Sequence, residues 1–298
     1  MKRLLISYLI FIIGFGLAGC ANPTSSSGPA ASNSNTASIQ DVGSDTLVNL
    51  ALAWAEQYQQ SRPNIRISVT GGGSGTGLAA LINGTTDIAN ASRAITNDEI
   101  KQAKANGENP TQFVVSRDAI AIMVNPTNPI SKLTLKQISR IYKGETNNWS
   151  ELGGENRPIV RLSRDSNSGT HVYFLGAVIR LGSSTDKSIF SEDTLLLPSS
   201  EGIIAELKDN PNAIGYDGLG YVTPDVKVIA VANDITGPYV LPSAATVNNN
   251  TYPISRDLYM YTNGEPTGAL KDYIDWILSA EAQKIVDDLG FVPIKTAQ

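Results

Sequence analysis

The chain has 298 residues, 41% of them hydrophobic, with a formal net charge of −5, one histidine and one cysteine. An acidic chain without a lysine–arginine cluster lacks the positive field that neutralises a nucleic-acid backbone, so any anion site must be local, built from a few aimed donors. One histidine and one cysteine are too few for a transition-metal site, and a lone cysteine cannot close an internal disulfide.

Lys2 and Arg3 precede an apolar run from Leu4 to Leu17, broken by Ser7, Gly14 and Gly16. The run is shorter than the roughly 20 residues that span a bilayer, and charge followed by apolar residues is the order of an export leader. Leu17-Ala18-Gly19-Cys20 resembles the lipobox of bacterial lipoproteins, which implies a leader over 1–19 and a lipid on Cys20. Removing the two basic residues carries the formal charge from −5 to −7. Residues 20–38 include ANPTSSSGPAASNSNTAS, which has no apolar periodicity and reads as a flexible tether.

From Ile39 onward, hydrophobic spacing alternates between strand and helix. IQDVG reads as a strand, and TLVNLALAWAEQYQQ as a helix with Leu47, Leu50, Ala51, Trp54 and Tyr58 on one face. IRISVTG, the helix-like TGLAALIN, the strand-like DIANAS and a helix ending near Gly107 follow. QFVVSRDAIAIMVN is a long extended segment able to cross between lobes. TLKQISRIYKG is predicted helical, NWSELGG a turn, and PIVRLSR a strand running into RDSNSGT. SSEGIIAELKDN, NAIGYDGLG and VKVIAVAN read as helix, strand and strand. TYPISRDLYMYTN is a second crossing, and TGALKDYIDWILSAEAQKIVDDLG one helix stopped by Gly290 and returning to the first lobe. This order predicts an α/β architecture with a largely parallel sheet.

Three stretches share a design: VGSDTL, GGGSGTG and RDSNSGT each carry a strand end into a glycine–hydroxyl turn and then a helix. First helical turns present unpaired N–H groups and a partial positive charge. Glycine admits close backbone approach, and Ser or Thr adds a short donor. Any one such turn is equally a helix cap. Three at the same edge of a sheet, where α/β proteins bind ligands, point to an oxyanion. GGGSGTG lacks the lysine of a nucleotide-phosphate loop, and Thr76 stands where a dinucleotide fingerprint needs its third glycine. A serine–histidine–acid triad would have to use His171, only three residues from Ser168 and too local for that chemistry.

VGSDTL, GGGSGTGLAALINGTTDIANASR, NPTNPISKLTLKQISRIYKGETNNWSELGG and RDSNSGT, in this order, resemble the PstS-type phosphate-binding proteins of ABC transporters. The resemblance implies a two-lobe periplasmic-binding-protein type II fold with two crossing strands as hinge. It divides the chain into a first lobe over 39–116, a second over 117–255 and a return over 256–298. It also implies a phosphate site of Ser44, Asp45, Thr46, Ser74, Gly75, Thr76, Ser92, Arg93, Arg164, Ser168, Gly169 and Thr170, with Arg164 as a bidentate fork on two phosphate oxygens. Many relatives carry an aspartate where Ser92 aligns, to accept the phosphate's own proton and turn sulfate away. Asp45 is the expected substitute, capping of its own helix the alternative.

The function implied is a non-enzymatic receptor without cofactor: a monomer, tethered outside the cytoplasm by lipid, that delivers phosphate to a membrane permease driven by an ATPase. Alternatives are a receptor for sulfate, molybdate or a phosphate ester, a secreted phosphate-ester hydrolase using Ser74 or Ser168, and a sensor that has lost its ligand.

Overall fold

The computed structural model describes residues 36–294; the expected leader, Cys20 and all but the end of the tether lie outside the described residues. Chain order begins β1 (Ala37–Gly43), α1 (Asp45–Ser61), β2 (Ile65–Thr70), α2 (Ser74–Ile82), β3 (Ile88–Ala91), α3 (Asn97–Ala105) and the 15-residue β4 (Pro110–Val124). It continues through β5 (Lys132–Thr134), α4 (Leu135–Tyr142), β6 (Val160–Arg164), α5 (Gly169–Phe174), β7 (Leu195–Leu197), α6 (Ser200–Asp209), β8 (Ala213–Gly218), β9 (Lys227–Ala232) and α7 (Ala244–Asn248). It closes with β10 (Ser255–Asn263), α8 (Gly268–Ile277) and α9 (Ala280–Asp288).

The fold is α/β with two lobes. In the first, β1 lies between β2 and β3, all parallel, with Ile39 opposite Ile67 and Val42 opposite Ala89. In the second, β6 runs parallel to β7 and β8, and β5 parallel to β9. The two long strands join them. β4 pairs antiparallel with β10 from Pro110 to Ala119, then with β8 from Ile120 to Val124, so one strand serves both lobes. The expectation of a largely parallel sheet therefore holds within each lobe and fails at the joint, where β10 is antiparallel to β3 and β4, and β4 to β8 and β9. A strand that leaves one lobe for the other has to run against its neighbours when its mate returns.

Local chemistry accounts for the helix starts. Thr134 and Gln137 close a capping box on α4, as Thr96 and Glu99 do on α3, each meeting donors that the first turn leaves unpaired. The C-terminal helix predicted as continuous is two. Ser279 takes an extended conformation, accepts the Ala282 N–H and donates to Trp276 O at 2.6 Å, so the chain ends α8 and starts α9 within two residues. Both return to the first lobe: Trp54, fully buried, donates its Nε1–H to Ala282 O at 3.0 Å. Tyr58 packs against Tyr273 and Trp276 with ring centroids 4.9 and 5.2 Å apart. In the second lobe Phe174 lies flat on Tyr216 at 3.6 Å, with Tyr142 edge-on to both. Among the described residues no helix is long and apolar enough to cross a membrane.

Candidate functional site

Glycine and short hydroxyls let the loops meet. Gly43, at φ +147°, turns β1 into α1 against the Asn90 backbone; a Cβ there would stand 2.2 Å from Asn90 O. That contact lets Ser44 N–H donate to Asn90 O at 3.0 Å, in the strand β3 that Ser92 follows. Ser44 is buried, yet its hydroxyl makes no cap bond to α1. On the other lobe, Gly169 sits so close that a Cβ would be 2.3 Å from Ser74 Oγ and 2.6 Å from Ser92 Oγ. Thr46 Oγ1 lies 2.8 Å from Thr170 Oγ1. The first turns of α1, α2 and α5 thus converge, although their residues are separated by up to 124 positions in sequence.

Donor directions in this cluster follow from which groups cannot accept. Arg256 Nη2 donates to Thr170 Oγ1 at 2.9 Å, so the Thr46–Thr170 pair shares one proton and retains another. Ser92 N–H donates to Ser74 Oγ at 3.0 Å, and the Ser74–Ser92 hydroxyl pair, 3.2 Å apart, likewise retains one O–H. Ser168 Oγ accepts the Thr170 N–H at 3.2 Å and keeps its own proton. Each of the two pairs, and Ser168, thus keeps one O–H that these bonds do not use and that a guest able to accept can take. Ser74, Ser92, Thr46, Thr170 and Ser168 are all buried.

Arg164, fully buried at the end of β6, has five N–H donors. Nη1 reaches Ser200 Oγ at 2.7 Å and Asp217 Oδ2 at 3.3 Å; Nη2 reaches Asp45 Oδ2 at 2.8 Å and Pro198 O at 3.0 Å. Only Nε is buried without a partner. The expected fork of two terminal nitrogens on a ligand is therefore corrected: those nitrogens hold carboxylates, and Nε is the donor left. A buried guanidinium with no counter-charge would carry a desolvation penalty of several kcal/mol, which the two aspartates offset.

Asp45 departs from the alternative expected of it, the cap. Its Oδ1 accepts the Gly72 N–H at 2.9 Å and its Oδ2 the Arg164 donor, so it does not cap its own helix but ties one lobe to the other. Two more contacts cross the cleft nearby: Asn167 Nδ2 donates to Gly72 O at 2.8 Å, and Tyr221 O–H to Asp45 O at 2.6 Å. The backbone donors expected from the second turn are committed elsewhere, Gly75 N–H to Asn167 O and Thr76 N–H to Gly73 O. Glycine leaves a loop free to face a ligand, but equally free to face the opposite lobe. Arg93 is not brought to the cluster; its terminal nitrogens fork onto Glu99 at 2.6 and 2.8 Å. His171 bonds Arg164 O and Ser163 Oγ through Nδ1, each at 3.0 Å, stacks on Phe190, and is held below its usual pKa by burial.

Sequence reading missed Arg256, Asp118 and Asp217. Arg256 donates through Nη1 to Ser92 O at 2.8 Å and through Nη2 to Asp118 Oδ2 at 3.1 Å, in addition to Thr170. Burial drives Asp118 up to about 6 despite the Arg256 charge, and raises Asp217 against Arg164. The available signal was a charged residue inside an otherwise apolar strand: RDAIAIMV, AIGYDG and ISRDLYMY. A separate surface groove of about 610 Å³ runs along Thr134, Lys136, Arg140 and Ile235 and includes none of these residues.

Fold and site together define a two-lobe binding protein closed over a small oxyanion site. Residues 28–281 match the model of the PBP superfamily domain. The phosphate-binding protein PstS of Pseudomonas aeruginosa is 31% identical over 313 residues, covering 99% of this chain and 95% of that protein. PstS of Bacillus subtilis is 31% identical over 295 residues, covering 99% and 93%. The crystal structure of a phosphate ABC transporter substrate-binding protein from Clostridium perfringens, with bound phosphate, superimposes with a TM-score of 0.77 at 30% identity, covering 87% of this chain and all of that one. The chain belongs to the PBP superfamily and, within it, to the PstS-type phosphate-binding proteins.

Proposed function

We propose that this protein captures inorganic phosphate between its lobes and hands it to an ABC importer. The observation that carries the reading is the meeting of three helix N-termini, from α1, α2 and α5, around hydroxyls that keep an O–H to donate. Such a cluster favours an anion through the helix partial charges and through hydrogen bonds that strengthen where water is excluded. The ligand would meet Ser44, Thr46, Ser74, Ser92, Ser168, Gly169, Thr170 and Arg164 Nε. Asp45, each of whose oxygens keeps a lone pair, would accept the proton that phosphate carries and sulfate lacks.

Binding would act by stabilising the closed arrangement of residues 39–116 and 256–298 against 117–255, and no chemistry would be performed on the ligand. After export directed by the leader, the Cys20 lipid would hold the protein, as a monomer, on a bacterial membrane outside the cytoplasm. Calorimetric titration of the lipid-free protein with phosphate, then sulfate and arsenate, tests the reading. Saturable binding of phosphate with weaker sulfate is expected; absence of phosphate binding would refute it. A second reading, as receptor for another oxyanion, is favoured by one observation: the buried Ser92 offers the cluster a hydroxyl, not the carboxylate that would turn away an anion without a proton. Tighter binding of sulfate or molybdate in the same titration would establish it. A chromogenic phosphate ester should be left intact.

A further inference from the structure

The strands that pass between the lobes carry a charged pair at their crossing. Asp118 on β4 and Arg256 on β10 stand directly opposite in antiparallel register, joined at 3.1 Å. Both are buried: the Asp118 side chain is 0% and the Arg256 side chain 3% exposed. Asp118 is fixed from its other side by the Leu219 N–H at 3.1 Å. From this anchor the guanidinium reaches both ways, to Ser92 O in the first lobe and to Thr170 Oγ1 in the second. Its face lies over the Tyr173 ring at 5.4 Å, and its Nε is buried without a partner.

We propose that Arg256 is a positioning residue that clasps the two lobes around the ligand, holding the Ser92 loop and the Thr170 helix start at once from a fixed point on the hinge. This rests on the phosphate reading. A lobe cannot open without breaking one of two charge-assisted bonds, and the bond to Thr170 also orients the hydroxyl that faces the anion. A clasp that has to part before the lobes open acts on release more than on capture. Its anchor titrates. Asp118 faces Arg256 from β10, Asp217 from β8, the Leu219 N–H, and the Tyr173 and Tyr252 rings, with no second cation among them. Protonation leaves Arg256 without its anchoring charge, so release should quicken as pH falls through about 6.

Stopped-flow kinetics with inorganic phosphate on the full chain test this. Arg256→Gln should raise the dissociation rate about tenfold or more, with the association rate within about threefold of the parent. Arg256→Lys, which keeps charge but not the fork, should fall between the two. Asp118→Asn should release quickly and lose the acceleration below pH 6 that the parent shows. The dissociation rate does not depend on the ionic form of free phosphate, and comparison with Asp118→Asn separates the Asp118 contribution from that of the bound anion. Should Arg256→Gln fail to fold, the Asp118→Asn profile alone decides. A parent that binds phosphate, with folded variants that release it at the parental rate, overturns the clasp and leaves the proposed function standing. A parent that binds no phosphate overturns both.

Discussion

Arg93 and Arg164 make an instructive contrast. Both stand at or just past strand ends, both neighbour serines, and both stand where a positive charge could serve an anion. Arg93 is closed off by Glu99, whose carboxylate also belongs to the capping box of α3. Arg164 likewise meets carboxylates, and the Nε of both arginines is buried without a partner, but Asp45 comes from the opposite lobe, so only the Arg164 pair spans the cleft. An arginine beside a hydroxyl motif is thus functional or structural according to where its counter-ion sits, which spacing along the chain does not reveal.

The sharpest test of that contrast is Arg164→Ala, which leaves Asp45 and Asp217 facing each other without a cation. Phosphate affinity in a calorimetric titration should fall at least about a hundredfold, and the unfolding free energy by about 3–5 kcal/mol. The same logic extends to a carboxylate that has no cation. Asp41 is fully buried in the first-lobe core beside the Asn90 side chain, and burial, outweighing that neighbour, lifts it from 3.8 to about 7. The fold binds its proton more tightly than the unfolded chain does. Its contribution is therefore fully present below about pH 4 and is lost as pH rises through 7. Asp41→Asn should stabilise the protein at pH 8 by about 2–4 kcal/mol in urea unfolding and flatten the decline from pH 5 to 8.

Asp45→Asn keeps the side-chain volume but weakens both the link to Arg164 and the proton acceptor. The ratio of phosphate to sulfate affinity should drop about fivefold or more; an unchanged ratio would remove Asp45 from selectivity and leave it as a strut. Smallest of all, Arg93→Gln should leave phosphate affinity within about twofold and lower the unfolding free energy by no more than about 1 kcal/mol, as for a pair near the surface. A large loss of affinity there would erase the contrast with Arg164.

Period and punctuation made most of the elements legible: the alternation in IRISVTG, the apolar face through Trp54 and Tyr58, the stop at Gly290. The break at Ser279 was not, because a serine at one position in an apolar-periodic run signals a cap only once the chain is seen to turn there. The turns around Ser44, Ser74 and Ser168 were readable because glycine beside hydroxyl after a strand is a local signature. The same locality hid Asp118, Asp217 and Arg256. Each belongs to a mid-strand position whose meaning depends on the strand opposite, and the Asp118–Arg256 pair is 138 residues apart in sequence. It also misassigned Gly75 and Thr76, whose N–H groups face protein acceptors instead of a cleft.

A crystal structure of the protein grown with phosphate addresses the central claim most directly. A tetrahedral anion should lie between the lobes, with oxygens about 3 Å from Arg164 Nε and from hydroxyls of Thr46 or Thr170 and of Ser74 or Ser92. Phosphate found elsewhere, with the three helix starts still packed on one another, would contradict the account.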